Sequence, residues 1–562
     1  MKAIGWLIAL CLLGVPQQGS GQDTAAPTPP STPDQRMDKL FDFWNRLDQP
    51  GFAVVVVKDG RVLYQKVFGL ACQEHAVPIT PGSVFNVATA AQPFVGQAVA
   101  LLEKQGRLSL DEDVRKFIPE IPDFGTPVRV RHLVFHTSGL RDWLPVLQLT
   151  GREGEEITID QVLKIIGAQK KPLFAPGTRA QFSNTDYDLL AEVIKRATGK
   201  AFSDWTFENV FKPVKMTRTQ YRDNYRSIFD NEALSYNYTR EQYLRGRDML
   251  SLAGSHSLFT SIADLSKWLV DVETARVGGA DIYEKMFTAG RLDEGSSSGF
   301  GYGVRVESEL GRRRVVAAGT WAGSGATLVY YPDQKFGFAV LANWDYTSVQ
   351  GFAPEIVRIY LPAAAPVSTR PPAPASTRAA APVTVALETL DRYVGDYRLA
   401  PGQFARATRA GGQLFLNVPG GGKFVLTAVS QTEFLLGIAD IRITFQTSKD
   451  GKADQLVWIQ GGDEEVAPKV VLVNPTPAEL KEYAGLYFND ELNVRFRLEV
   501  AGNALVLGPV PRDVRLAPET RDRFASRLPL IPALVFQRDP QGRIAGFAID
   551  NDPVRDLFFK RE

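Results

Sequence analysis

The sequence predicts an α/β (α+β) domain, an antiparallel sheet flanked by helices, followed by two small all-β repeat modules. Three observations lead there. Strand-like runs stand near both ends of residues 37–361 with helical patterns between them. Residues 362–386, "PAAAPVSTRPPAPASTRAAAPVTVA", are too rich in Pro and Ala to bury a core and read as a linker. Beyond the linker the chain repeats itself: "YVGDY" at Tyr393–Tyr397 returns 90 residues later as "YAGLY" at Tyr483–Tyr487.

Within residues 37–361, a helical pattern runs from Met37 to about Leu47. "GFAVVVVKDGRVLYQKVFG" reads as a hairpin turning at Asp59-Gly60, whose residue pair suits the tight turn that strand twist prefers. Val84 to Val87 is a short extended run, and Pro93 sits in the first turn of the helix that follows, where a missing N–H costs nothing. Val95, Ala98, Val99 and Leu102 line one face of that helix and Gly106 ends it. A second strand pair turns around Pro332-Asp333, and a last helix covers about Gly351 to Tyr360. One sheet joining the N- and C-terminal strands is the expected architecture.

The repeats match in register at further points: "GGQLFLNV" with "GNALVLGP", Phe434 with Phe524, and "FQTSKDGK" with "FQRDPQGR". Two copies of one module, residues 387–473 and 474–562, follow. Their strand-length runs between Gly and Asp turns lack helical periodicity, so small antiparallel units, open or barrel-like, are expected, with the paired tyrosines in the core.

Residues 1–21 carry Lys2, the apolar run "IGWLIALCLLGV" and then "PQQGSG", the layout of a secretory signal peptide. Export to a periplasm or beyond the cell is expected, and no other stretch is long and apolar enough to span a bilayer. Residues 22–36 are Pro- and Thr-rich and are expected to be disordered. Removal of the leader leaves Cys72 alone, which excludes an intrachain disulfide. A net charge of +1 gives no polyanion-binding signal, so nucleic acid is not expected as a partner. His75, His132, His136 and His256 show no metal-ligand spacing and are expected to be structural; neither metal nor cofactor is called for.

The chemistry concentrates at "FNVATAAQPF", where Thr89 and Gln92 fall at a strand-to-helix junction. Backbone N–H groups there suit an oxyanion. "GLACQEHAVPITPGSVFNVATAAQPF", "VRKFIPEIPDFGTPVRVRHLVFHTSGLRDW", "PGTRAQFSNTDYDLLAEVIKRATGK" and "GSHSLFTSIADLSKWL" resemble successive landmarks of the serine beta-lactamase-related hydrolases. That family takes in class C beta-lactamases, low-molecular-weight penicillin-binding proteins and related esterases and peptidases. The resemblance implies an acyl-enzyme mechanism using a Ser, a Lys one helical turn later, a Tyr-x-Asn motif and a strand motif of the Lys-Thr-Gly or His-x-Gly kind.

In this chain those positions read Thr89 and Gln92; Phe182 and Asn184; Ala317 and Gly319. Three motifs have lost their titratable group, and breaking one member of such a unit typically lowers kcat by on the order of 10⁴ to 10⁶. A Thr hydroxyl without a base stays protonated at neutral pH. Main-chain N–H groups of Thr89 and Thr320 would still offer an oxyanion-type cradle, with Thr89, Gln92 and Asn184 as polar groups of a cleft. Whether Trp321 faces that cleft depends on strand register.

Three functions remain. An exported pseudoenzyme binding a peptide, acyl or cell-wall-like ligand or a protein partner is favoured. A hydrolase of esterase, beta-lactamase or peptidase type using Thr89 in an atypical mechanism is the second. The third places binding in the C-terminal β modules.

Overall fold

The computed structural model describes residues 32–562 apart from 362–382 and short stretches at 153, 240, 310, 346–348, 420–421, 437–440, 449–452, 461–462, 509–512 and 556. The predicted signal peptide and most of the predicted linker lie outside the described residues. The rest divides into two compact units, one before and one after residues 362–382.

Regular structure starts earlier than the sequence predicts, with helix α1 at Pro33–Phe41. Thr32 explains the shift. Its hydroxyl accepts from the Gln35 N–H at 3.2 Å while the Gln35 side chain accepts the Thr32 N–H at 2.9 Å, a reciprocal cap that outweighs the Pro- and Thr-rich composition. The helix passes into a single tighter turn, Asp42–Trp44, and does not reach Leu47.

Strands β1 (Phe52–Lys58) and β2 (Arg61–Phe68) form the predicted hairpin. Among the elements that follow, those that frame the site are β3 (Val84–Asn86), helix α2 (Gln92–Lys104), helix α3 (Asn184–Thr198), β4 (Leu258–Ser261) and helix α4 (Ile262–Thr274). Strands β5 (Arg305–Glu309), β6 (Arg312–Trp321), β7 (Ser324–Tyr331) and β8 (Phe336–Ala342) lead to helix α5 (Ala353–Tyr360).

The main sheet runs β5-β6-β7-β8-β1-β2, all antiparallel, and Phe52 pairs with Ala342 where the two ends of the domain meet. The unbroken "FAVVVV" of β1 is explained by burial on both faces. Ala53, Val55 and Val57 pack with Leu265 and Leu269 of α4, while Phe52, Val54 and Val56 pack with Met37 and Phe41 of α1 and Ile356 of α5. A strand covered on both sides has no polar face to alternate with.

The second unit consists of two closed eight-stranded antiparallel barrels. The first runs from Gly395–Ala400 to Asp463–Val470 and closes where Tyr397 pairs with Lys469. The second runs from Gly485–Asn489 to Phe558–Arg561 and closes where Tyr487 pairs with Arg561. Each is headed by a short helix, Leu387–Tyr393 and Pro477–Leu480, too brief to give the sequence a helical period. Val385 packs into the first barrel's core.

The repeated tyrosines do the same thing in each copy. Tyr397 donates its hydroxyl to the Tyr393 carbonyl and Tyr487 to the Tyr483 carbonyl, both at 2.7 Å, with all four rings buried. Phe434 and Phe524 stand against Tyr393 and Tyr483.

Candidate functional site

The site is built around the turn between β3 and α2. Asn86 Oδ1 accepts the Ala88 N–H at 2.9 Å, and Ala88 takes a left-handed conformation, φ 49°, which reverses the chain and lifts Thr89 out of the core. Ala90, Ala91, Phe94 and Val95 are fully buried and anchor the turn from below. Thr89 lies in a single 3₁₀ turn, Ala88–Ala91, and Gln92 opens α2.

Strand β6 crosses directly above. A Cβ on Gly319 would stand 2.2 Å from Thr89 Oγ1 and 2.5 Å from Thr89 N, so only glycine allows this approach. Gly303 performs the same service on the other side, where a Cβ would come within 2.3 Å of the Gln92 carbonyl carbon. The Thr89 hydroxyl donates to the Ala318 carbonyl at 3.0 Å. A carbonyl cannot take up the proton, so this contact holds the hydroxyl without activating it.

Asn184 is the first residue of α3, and both its N–H and its Nδ2 donate to Asp142 Oδ2, at 3.1 and 2.9 Å. Burial pushes Asp142 up to about 6 against these bonds. The remaining Asn184 oxygen and the Gln92 Nε2 are buried without a hydrogen-bond partner among the described residues. Phe182 is 42% exposed, and its ring stands 5.0 Å from that of His136. Buried His136 sits 3.1 Å from Asp186, whose carboxyl is raised by burial and also accepts from Ser138 Oγ at 2.6 Å.

Thr89, Gln92, Phe182, Asn184, Ala317, Gly319 and Thr320 thus come together around one cleft of about 470 Å³. The motif position Ala317 is 6% exposed, and its methyl puts no polar atom into the wall. Among the described residues no lysine lines the cleft. Its cations are Arg305 and Arg314, and Arg314 is bridged to Glu307 and Glu309 at 2.6 and 2.5 Å.

Three further residues line it that motif reasoning treats as structural or leaves open: His136, His256 and Trp321. Trp321 does face the cleft, its Nε1 donating to Asp248 at 3.0 Å. His256 is 1% exposed and stands with its ring 5.3 Å from that of Trp321. The signal for His256 is an imidazole set among small residues in "AGSHS", a poor place for a side chain serving packing alone. Strained backbone marks the same region: Ala88, His136, Ser257 and Ala322 all have φ between 47° and 62°, and each is, or adjoins, a residue of the cleft wall.

The family profile described as Beta-lactamase matches residues 35–359, more than half of the 562 residues. The chain belongs to the beta-lactamase family. Similar proteins include penicillin-binding protein 4* of Bacillus subtilis (strain 168), 25% identical over 449 residues, covering 77% of this chain and 98% of that protein. The D-aminopeptidase of Gluconobacter oxydans (strain 621H) is 25% identical over 301 residues, covering 53% of this chain and 56% of its own length. Among solved structures, the octameric penicillin-binding protein homologue from Pyrococcus abyssi aligns with a TM-score of 0.50 at 20% identity, covering 77% of this chain and 99% of that one, a likeness of fold. Within this beta-lactamase-family chain, no helix among the described residues is long and apolar enough to cross a membrane.

Proposed function

We propose that this beta-lactamase-family protein is exported and catalytically impaired, a pseudoenzyme whose cleft holds a peptide, acyl or cell-wall-like ligand or a protein partner. The reading rests chiefly on the Thr89 hydroxyl, which is given to the Ala318 carbonyl while the neighbouring Gln92 has no capacity to take a proton. Phe182 and Ala317 remove the other two proton-handling positions. The apolar leader in residues 1–21 supports export, which cell fractionation with a C-terminal epitope tests. The cleft reading is tested by incubating the mature protein with a fluorescent penicillin and a fluorophosphonate. No covalent mass at Thr89 is expected; an adduct on that residue would overturn the proposal.

A second reading, a hydrolase using Thr89 as an atypical nucleophile, is favoured by the surviving hydroxyl and by relatives named as a penicillin-binding protein and D-aminopeptidases. The same labelling decides between them.

A further inference from the structure

We infer that His256 is a ligand-contacting residue of the cleft, whose Nε2 is a fixed hydrogen-bond acceptor selecting ligands that present an N–H or O–H beside a carbonyl: amides in preference to esters. This rests on the reading that the cleft binds a small ligand.

A hydrogen-bonded chain sets the imidazole. Asp188 is completely buried and takes donors only: Trp143 Nε1 at 2.6 Å, the Ser255 N–H at 2.7 Å and the Ser255 hydroxyl at 3.0 Å. With Asp188 ionised, the hydroxyl proton of Ser255 is committed to the carboxylate. The Ser255 oxygen, 2.8 Å from His256 Nδ1, then has only a lone pair to offer that nitrogen. Nδ1 must therefore carry the ring proton, and Nε2 keeps its lone pair. Trp143 and Trp321 flank the ring at 6.3 and 5.3 Å, which hinders a flip that would exchange the nitrogens.

Nε2 has no protein partner among the described residues, while the ring lines the cleft. Burial holds the imidazole neutral, with its pKa pushed down to about 4, so wherever Asp188 is ionised the ring accepts at Nε2 rather than donating. A purely structural histidine at 1% exposure would be expected to satisfy both nitrogens within the protein. The next residue, Ser257, is held at φ 62° with its own hydroxyl buried and without a partner among the described residues. Such a conformation persists where surrounding structure imposes it.

Neutral polar side chains stand in the same wall. Among the described residues Gln92 Nε2 is a donor without a partner and Asn184 Oδ1 an acceptor without one, both buried. A ligand carbonyl turned to the Thr89 side leaves its neighbouring N–H to donate to His256 Nε2, the arrangement an amide provides. An ester places a lone pair where the amide has its N–H, leaving the buried acceptor unpaired.

The experiment is calorimetric titration of the full mature chain at pH 8.5, where Asp188 is ionised. The probes are N-acetylated dipeptides of both chiralities and their depsipeptide counterparts, with the central N–H replaced by O. Amides are expected to bind roughly 10- to 100-fold tighter than the matching esters, the affinity lost when a buried acceptor is left unpaired. His256→Asn keeps an N–H toward Ser255 but lacks Nε2, and should erase that preference. Equal binding of amide and ester by the wild type, or an unchanged preference in His256→Asn, overturns the inference and leaves the cleft as a ligand site. No binding of any probe overturns both. Should the variant fail to fold, ¹⁵N spectra of the wild-type histidines decide: His256 must show an unprotonated Nε2 that shifts on adding a dipeptide, and a protonated Nε2 refutes the inference.

Discussion

Asp188→Asn gives the sharpest test of the electrostatics beneath the cleft. The carboxyl is pushed up to about 7 from 3.8, chiefly by burial, with the nearby Asp142 adding repulsion and the Ser255 and Trp143 donors opposing. Its folded-state pKa thus lies above the unfolded one. Such a group contributes stability in full below about pH 4, and that contribution is lost as pH rises toward 7. Between 3.8 and about 7, at about 1.4 kcal/mol for each tenfold change in acidity, the loss is on the order of 4 kcal/mol.

In the wild type this slope is masked. Asp142, raised to about 6, acts in the same sense, whereas His132 and His256, both lowered to about 4 by burial, gain stability between about pH 4 and 6.5. The difference between variant and wild type isolates Asp188. The introduced asparagine is neutral throughout and disturbs one or more donors to the carboxylate, a pH-independent cost of about 1–3 kcal/mol. The variant should therefore melt below the wild type near pH 4.5 and gain on it by roughly 5 °C or more by pH 7.5. Differential scanning calorimetry in matched buffers across that range reads it directly. A melting difference that does not change with pH would refute the buried-acid reasoning.

Other outcomes follow from single distances. Gly319→Ala drives a methyl to 2.2 Å from Thr89 Oγ1 and 2.5 Å from its backbone N, and should cost about 1–3 kcal/mol on chemical denaturation as β6 and the turn separate. Tyr397→Phe and Tyr487→Phe each leave a carbonyl without its 2.7 Å donor, and each should destabilise the barrel unit by about 1–2 kcal/mol in urea titrations, with the two costs alike because the geometry is repeated. Restoring Thr89→Ser, Gln92→Lys, Phe182→Tyr and Ala317→His together should raise hydrolysis of a chromogenic ester by roughly 10³-fold or more over the wild type if the cleft is otherwise intact. No gain would mean the pocket has been remodelled beyond its motif positions.

Much of this architecture is legible in the sequence because its signals are local. Asp59-Gly60 fixes a hairpin within two residues, and the tyrosine repeat records a main-chain hydrogen bond made twice. The start of α1 escapes a compositional reading because a reciprocal cap of two side chains, Thr32 and Gln35, decides against composition. The positions of Thr89, Gln92, Asn184 and Gly319 are readable by motif, but the bond from Thr89 to the Ala318 carbonyl depends on β6 lying across a turn 229 residues earlier in the chain. His256 escapes for the same reason: Trp321 beside its ring and Asp188 behind Ser255 are brought there by β6 and α3, and nothing in "AGSHS" names them.

The missing ammonium and the raised carboxyls belong to one electrostatic arrangement. Asp142 is held by the Asn184 amide and the Leu144 N–H, and Asp188 by Trp143 and Ser255; neither carboxyl meets a cation among the described residues. Hydrogen bonds from neutral donors lower a buried carboxyl less than a nearby positive charge would, so burial prevails and both acids titrate near neutrality. A lysine in place of Gln92 would need such carboxylates as counter-charges, and the neutral amide does not. The cleft then carries a neutral amide where the family has an ammonium, which leaves recognition at that point to the direction of hydrogen bonds. On that account the quadruple restoration does more than return missing groups: the buried ammonium brought in by Gln92→Lys should draw Asp142 or Asp188 back toward ionisation, and a fall in either carboxyl pKa, followed by ¹³C spectra, would register the coupling even if no hydrolysis appeared.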